Sequence, residues 1–267
     1  MKVLILAAGK GTRLRPITDY LPKPMVPLHG KPLLEWVILH LISCGIREFV
    51  IAVSYLAEQI ENYFGDGEKW GIKIAYSYGT NPTGKAGEIW RARHLLESNK
   101  EGFLVVPGDT IIHLNYQDVV DFHQKHDRGF SVIFSTQYRL EVGLAEIDTN
   151  NRIKRFLEKT NLGFPVSIGS YLLDDTIFSY IERLHPEQNE VDLPGDVFPL
   201  LLQEGVPIYG FVQDFNWWDI GRMNDYEKLV HMPKEAALRI LIMKIKRRDI
   251  LRNSVSERLK PGRVYLF

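Results

Sequence analysis

The sequence predicts an α/β fold, a doubly wound sheet of mixed but mostly parallel strands, and three observations carry that expectation. Short apolar runs of strand length alternate from the N-terminus with stretches whose apolar residues recur at helical spacing, giving βαβαβ. The first run, Val3 to Ala8, breaks into a glycine loop, Gly9-Lys10-Gly11-Thr12-Arg13, at the kind of strand end where open α/β sheets take ligands. Past Gly143 the rhythm changes to that of a hairpin, so an antiparallel insertion is expected within the Rossmann-like sheet.

Each element has a local reason. Pro32 suits the first turn of a helix, Leu33, Leu34, Val37, Ile38, Leu41 and Ile42 give it an apolar face, and Gly45 ends it. Phe49 to Val53 is the second strand, and a helix from about Leu56 to Phe64 stops at Gly65-Asp66-Gly67. Residues 72 to 77 alternate as a third strand. A further helix follows Asn81-Pro82-Thr83-Gly84-Lys85-Ala86-Gly87-Glu88 and runs to about Leu96, with Glu88 explained by the helix dipole. Phe103 to Val106 is the fourth strand and ends in Pro107-Gly108-Asp109.

A helix near residues 116 to 127 carries His123 and His126 on one face. With no third ligand in view, they are read as surface histidines. Phe130 to Thr136 is a strand. Gly143 to Asp148 and Ile153 to Glu158 form the hairpin, turning at Asn150-Asn151, and Ser167 to Leu173 is another strand. Helices over about Asp175 to Arg183 and Asp192 to Glu204 precede a strand from Ile208 to Val212 and a turn at Trp217-Trp218-Asp219-Ile220-Gly221, with Trp217 as its core anchor. The two expected units are a body over residues 1 to 232 and a C-terminal helical tail over 233 to 267. The tail helix is expected to pack on the body or on a second subunit, with a membrane-surface or partner helix as the alternative.

Composition excludes several classes. The 267 residues balance 33 Lys+Arg against 33 Asp+Glu, so no global field draws nucleic acid or an anionic membrane. The single cysteine, Cys44, cannot form an internal disulfide and is read as a small buried hydrophobe. No apolar run reaches the ~18 residues of a membrane span. The N-terminal run is shorter than the ~7–15 residues of a signal peptide core and meets Lys10 and Arg13, so a cytoplasmic protein is expected.

The organising stretch is residues 3 to 27. Its glycines let backbone N–H groups approach a ligand without Cβ interference, and Arg13 and Lys23 add fixed cations, the latter between Pro22 and Pro24. That combination is what a nucleoside triphosphate needs. The dinucleotide fingerprint fails because Leu14 stands where it wants a third glycine, and no Gly-Lys-Ser/Thr precedes a helix as in a Walker A loop. Asp109, off a strand tip beside the loop, suits a magnesium ion, which takes one or two carboxylates and fills its shell with phosphate oxygens and water, and suits equally the cap of the next turn.

Gly9, Gly11, Arg13, Leu14, Pro16 and Thr18, followed by Pro22-Lys23-Pro24, resemble the signature of the sugar-1-phosphate nucleotidylyltransferases, in the short form that lacks a β-helix domain. That family includes glucose-1-phosphate thymidylyl- and cytidylyltransferases and mannose-1-phosphate guanylyltransferases. The resemblance covers about residues 2 to 230. It implies that a nucleoside triphosphate and a sugar 1-phosphate are joined with release of pyrophosphate, with Mg²⁺ as cofactor. It implies further that Ala8, Gly9, Gly11, Thr12, Arg13, Gly84 and Asp109 bind the nucleotide, with Arg13 and Lys23 catalytic. Asp109 and Asp219, the latter in Trp217-Trp218-Asp219-Ile220-Gly221, would be the metal ligands. Gly143, Glu158, Lys159, Ser167 and Gly169 would hold the sugar phosphate in the antiparallel insertion. Pro82, Gly84, Ala86 and Gly87 match the family's base loop, whereas Thr83 and Lys85 depart from it. Gly79 also departs, standing where relatives carry a polar side chain, and Ser167 stands where they often have Asn. Lys85, with three donors and no acceptor, is weighed both as a base contact and as a solvated side chain.

Two rivals follow from the same residues. A regulatory subunit of this fold would bind sugar nucleotides without turning them over, and should lose a phosphate or metal residue. This chain keeps Arg13, Lys23, Asp109 and Asp219. A dinucleotide-dependent oxidoreductase is the other rival, weakened by the missing third glycine.

Overall fold

The computed structural model describes residues 1–79, 83–96, 102–126, 129–138, 142–158, 160–161, 163–221 and 223–233. Asn81, Pro82, Lys159, Arg222 and nearly all of the expected tail helix lie outside the described residues.

Seven strands form the central sheet. They are β1 (Lys2–Leu6), β2 (Glu48–Val53), β3 (Lys73–Tyr78), β4 (Phe103–Pro107), β6 (Phe130–Ser135), β9 (Val166–Leu173) and β10 (Ile208–Gln213), in the spatial order β3-β2-β1-β4-β9-β6-β10. A short β5 (Thr110–Ile112) lies outside this sheet, as does the hairpin β7 (Leu144–Ile147) and β8 (Ile153–Leu157). All neighbours in the main sheet run parallel except β9, which is antiparallel to both β4 and β6. The strand expected at Ser167 to Leu173 therefore joins the main sheet rather than the insertion, where it makes the sheet mixed.

Alternation along each strand feeds two apolar layers. Val3, Ile5, Leu104 and Val106 face one layer with α1 (Leu33–Ser43) and α2 (Ala57–Phe64). Leu4, Val50, Ala52, Phe103 and Val105 face the other, with α3 (Gly84–Arg91) and α5 (Ile177–Glu182). Each such side chain fully removed from water contributes about 1.5–3 kcal/mol, which is why a two-sided strand reads as a continuous apolar run.

Several elements differ from expectation. The helix after α3 breaks at Ala92 and resumes over Arg93–Leu96. α4 spans Tyr116–His123, with Asn115 accepting from Gln117 N–H at 3.2 Å as its N-cap. The segment expected as one helix over Asp192 to Glu204 is a π-turn at Leu193–Val197 followed by α6 (Phe198–Gln203), with Pro194 and Pro199 each falling in a first turn. The residues Trp217-Trp218-Asp219, expected in a turn, form β11 (Trp217–Asp219), paired antiparallel with β5. α7 (Met223–Val230) follows. The hairpin β7–β8 is exposed on both faces, Ile147, Ile153 and Phe156 included.

The start of α3 is fastened to the segment before the π-turn. Ala86 N–H donates to Val191 carbonyl and Val191 N–H to Thr83 carbonyl, each at 2.9 Å. Gly84 makes the approach possible: its φ is +70°, and a Cβ there would stand 2.3 Å from the Val191 carbonyl oxygen. Gly84→Ala is expected to cost at least about 1–3 kcal/mol, the scale of a forced backbone conformation. A lower urea midpoint at unchanged slope would show it. An unaltered midpoint would mean the helix start relaxes without loss.

Candidate active site

The glycine loop leaves β1 with its donors bare. Among the described residues, nothing within the chain accepts from the backbone N–H groups of Ala8, Gly9, Lys10, Gly11 and Thr12. Such successive free N–H groups form an anion-binding concavity. Gly11 adopts the left-handed conformation, φ 62° and ψ 32°, before a 3₁₀ turn at Thr12–Leu14. Its Cβ position lies 2.8 Å from Lys23 Cβ and 3.0 Å from Thr18 Cγ2, so the loop is laid directly on the lysine segment. The Thr18 hydroxyl locks it by donating to Gly11 carbonyl at 2.9 Å. Gly9 has open space around it and Arg13 is exposed, both facing solvent rather than the core.

Lys23 is the hub. Its side chain is 10% exposed, and its ammonium forms an ion pair with Asp109 and lies 3.6 Å from Asp219 Oδ1. Asp109 follows β4, while Asp219 ends β11. The β5–β11 ladder sets Asp219 opposite Thr110, and Ile220 N–H donates to Asp109 carbonyl at 3.4 Å. Asp109 and Asp219 thus face the same lysine ammonium. Asp219 is the more open, at 47% against 26% for Asp109. At Gly221 a Cβ would stand 3.2 Å from Asp219 Oδ2 and 3.3 Å from Arg13 Nη2, which places the Arg13 guanidinium at the same point.

No group of three or more His, Cys, Asp or Glu side chains could hold a metal ion among the described residues. Magnesium needs only one or two carboxylates when phosphate completes its shell. Asp109 and Asp219, both partly open and facing one cation, fit that need.

The expected sugar-phosphate residues form two further groups. A Cβ at Gly143 would stand 2.9 Å from Glu158 Oε2, so these two residues are neighbours at the base of the hairpin. Ser167 and Gly169 sit together on β9 where its register with β6 shifts, Gly169 N–H donating to Ser167 Oγ at 3.4 Å. No hydrogen bond or ion pair ties either group to the Lys23 hub among the described residues. Gly84, assigned to nucleotide binding, has its Cβ direction filled by Val191, which gives it a packing role. Lys85 is exposed, as a solvated side chain would be.

Other expectations are corrected. His123 and His126 are half-buried rather than surface groups. His123 Nδ1 is 2.8 Å from Ser131 Oγ, and burial lowers its pKa. His126 stacks on Tyr209 at 3.7 Å between centroids. Cys44 is half-buried, with burial raising its thiol pKa. Trp217 packs on the core as expected and stacks on Tyr138 at 5.9 Å. The helix dipole does not account for Glu88, which lies past the first turn of α3: burial dominates it and raises its pKa to about 7, against the opposing fields of Arg91 and Lys85. One helical turn on, Arg91 reaches to Gly79, its Nη1 lying 2.5 Å from where a Cβ would be. Arg91 carries no sequence signal of its own, since an i, i+3 charge pair looks like any solvated helix face.

The description "Nucleotidyl transferase" belongs to the family that matches residues 2–234. UTP--glucose-1-phosphate uridylyltransferase of Synechocystis sp. is 36% identical over 242 residues, covering 85% of this chain and 61% of its own. Mannose-1-phosphate guanylyltransferase catalytic subunit beta of Danio rerio is 34% identical over 231 residues, covering 85% and 62%. The chain thus spans about three fifths of the length of these curated relatives. Among solved structures, a putative glucose-1-phosphate thymidylyltransferase from Bacillus anthracis superposes with a TM-score of 0.73 at 24% identity, over 92% of this chain and 98% of that one. HddC from Yersinia pseudotuberculosis, solved with GMP-PN, gives 0.64 at 25% identity, over 86% and 97%.

The buried carboxyl of α3 gives a pH-dependent outcome. Because the folded pKa of Glu88, about 7, stands above the ordinary 4.5, the folded state holds the proton more tightly. Stability is therefore lost as pH rises from the unfolded value through the folded one. Glu88→Gln never ionises, so its stability relative to the wild type should improve by ~1–3 kcal/mol from about pH 4 to about pH 8. Urea unfolding at both pH values measures it, and a constant difference would overturn the assignment.

Proposed function

The chain belongs to the nucleotidyl transferase family, and on that premise we propose that it joins a nucleoside triphosphate to a sugar 1-phosphate, giving a nucleoside diphosphate sugar and pyrophosphate. The observation that carries this reading is the Lys23 ammonium held between Asp109 and Asp219 beneath the bare N–H groups of the glycine loop. Further support comes from relatives named for uridylyl and guanylyl transfer to sugar 1-phosphates.

The chemistry asks little of the protein beyond placement and charge. An oxygen of the sugar 1-phosphate attacks the α-phosphorus in line, a new P–O bond forms, and the bond to the leaving pyrophosphate breaks. The attacking phosphate has a second pKa near ~6, so it is largely deprotonated at neutral pH and needs no general base. Catalysis reduces to holding two polyanions together and neutralising charge as it moves to the leaving group.

Arg13 and the N–H groups of Gly9, Gly11 and Thr12 bind the β- and γ-phosphates and meet the charge that develops on pyrophosphate. Lys23 is the cation for the α-phosphate. Asp109 and Asp219 would hold Mg²⁺, which when bound neutralises phosphate charge at the reacting centre. Glu158 offers a carboxylate to sugar hydroxyls and Lys159 an ammonium to the sugar's phosphate, while Gly143, Ser167 and Gly169 give the sugar close backbone access. No described helix is long and apolar enough to cross a membrane. The balanced charge and single cysteine support work on soluble substrates in the cytoplasm.

The deciding experiment incubates the protein with Mg²⁺, a panel of nucleoside triphosphates and sugar 1-phosphates, and measures pyrophosphate. No release from any pair would sink the reading. Within an active pair, Asp109→Ala and Asp219→Ala should each lower release by more than the ~10–100-fold typical of losing a metal ligand's supporting partner, with folding intact. Near-wild-type release from either would remove it from the metal site. Arg13→Ala should raise the nucleotide KM and lower kcat, since its contact strengthens as the leaving group gains charge. An effect confined to the sugar phosphate KM would move Arg13 to the other substrate.

A further inference from the structure

We propose that Glu88 and Arg91 of α3 read the base of the bound nucleotide, and that the base they fit is guanine. The inference rests on the reading that a nucleoside triphosphate lies on the glycine loop, and goes beyond it by naming the base and the side chains that select it.

Topology first limits where the base can lie. The loop extends from the end of β1. On one side of β1, the end of β4 carries Asp109, which meets Lys23 and, with it, Asp219. On the other side lie the ends of β2 and β3. With the phosphates over β1 and the metal-binding carboxylates toward β4, the nucleoside is left the ends of β2 and β3. Strands are ~4.7–4.9 Å apart, so the end of β3 is about 10 Å from that of β1, within a nucleoside's reach.

Arg91 is what stands there. Its Nη1 lies 2.5 Å from the Cβ position of Gly79, the residue directly after β3, and Ser54 Cβ, just after β2, lies 3.6 Å from that same position. Glycine at 79 leaves the volume that the guanidinium fills. Arg91 is half-buried, yet among the described residues it makes no hydrogen bond or ion pair. Glu88, one turn earlier on the same helix face, is also half-buried and likewise makes neither. Two opposite charges that share a face, lose water and still do not join are costly unless a third body completes them. Lys85, the other cation near Glu88, is exposed.

The chemistry of the pair selects the third body. A carboxylate offers two acceptors side by side, and among the bases guanine alone presents two adjacent N–H donors, at N1 and N2. A guanidinium offers paired donors, which match guanine O6 and N7. A bound guanine would also hold Glu88 ionised, since its N–H groups bond the charged form.

The test compares GTP with ITP, which lacks only the N2 amino group, and with UTP and dTTP. It uses the full chain and measures pyrophosphate release at fixed sugar 1-phosphate, together with calorimetric binding of GDP and IDP without turnover. Wild type should favour GTP over ITP and over both pyrimidine nucleotides, by about 10–100-fold over the latter, the scale of a base-specific polar contact. Arg91→Ala should weaken GTP and IDP or GDP binding alike, whereas Glu88→Gln should close the gap between the N2-bearing and N2-lacking nucleotides. Arg91→Lys, which loses the paired donors but keeps the charge, and Glu88→Gln decide the matter if Arg91→Ala does not fold. A pyrimidine preference, or a guanine preference that none of these substitutions alters, overturns the proposal. If no nucleotide pair yields pyrophosphate, the transferase reading has failed on its own account, and the GDP and IDP affinities still decide the base.

Discussion

The ammonium of Lys23, set between two carboxylates far apart in the chain, is the interaction on which the rest of the site depends. Its stem is almost fully enclosed, wedged between the Gly11 turn and the elements that carry Asp109 and Asp219. A buried cation with an incomplete set of partners would be costly, and so would two neighbouring carboxylates without a cation. Each therefore makes the others tolerable. The arrangement also explains why β5 and β11 exist at all. They are short and lie outside the main sheet, but their ladder places Asp219 beside Thr110, and hence beside Asp109. The Phe215 carbonyl, accepting from the buried Ser135 hydroxyl at 2.6 Å, pins the approach to that ladder onto the end of β6. The sheet, the ladder and the lysine loop thus meet at one edge because a single charge balance requires it.

Much of this was legible in the residues. Strands buried on both faces show as unbroken apolar runs, so β1, β2, β4 and β6 were visible, and their order followed from alternation with amphipathic helices. The glycine loop was legible because bare donors and fixed cations near a strand tip serve few purposes. What escaped was whatever depends on register or through-space packing. The antiparallel insertion of β9 between β4 and β6 leaves no local trace, since a buried strand reads the same in either direction. The π-turn at Leu193–Val197 follows from the fit of a proline-containing segment against its neighbours, which no propensity scale records. His123 and His126 carry polar names but sit under β6 and β10, where Ser131 and Tyr209 meet them. Glu88 shows the same failing most sharply. A carboxylate near an expected helix start has a sufficient local explanation, and only the packed structure shows that it lies past the first turn, with burial dominating its charge.

On the proposed transferase reading, the charge pattern also divides the labour of binding. The chain as a whole is neutral, so nothing steers polyanions over long distances. Attraction is concentrated instead in bare N–H groups, Arg13 and Lys23, all within one loop system. Backbone donors suit this role because they are fixed by the fold and cost no reorganisation when charge shifts toward the leaving group. They are also indifferent to what lies beyond the phosphates. A site built from such contacts alone would accept any nucleoside triphosphate with similar strength.

On the proposed reading, selection comes from elsewhere along the same edge, and the ends of β2 and β3 differ from the cradle in the way selection requires. The cradle offers donors that would bind phosphate whatever the base. At Gly79 the chain offers a guanidinium and, one turn away, a carboxylate, neither of which makes a hydrogen bond or close ion pair among the described residues. Half-buried groups left unpaired discriminate by penalty as well as by reward, because a ligand without matching donors and acceptors leaves them desolvated and unmet. A loop of backbone groups can raise affinity for all nucleotides. Only side chains whose desolvation is made good by one pattern of donors and acceptors can turn that general affinity into a choice of base.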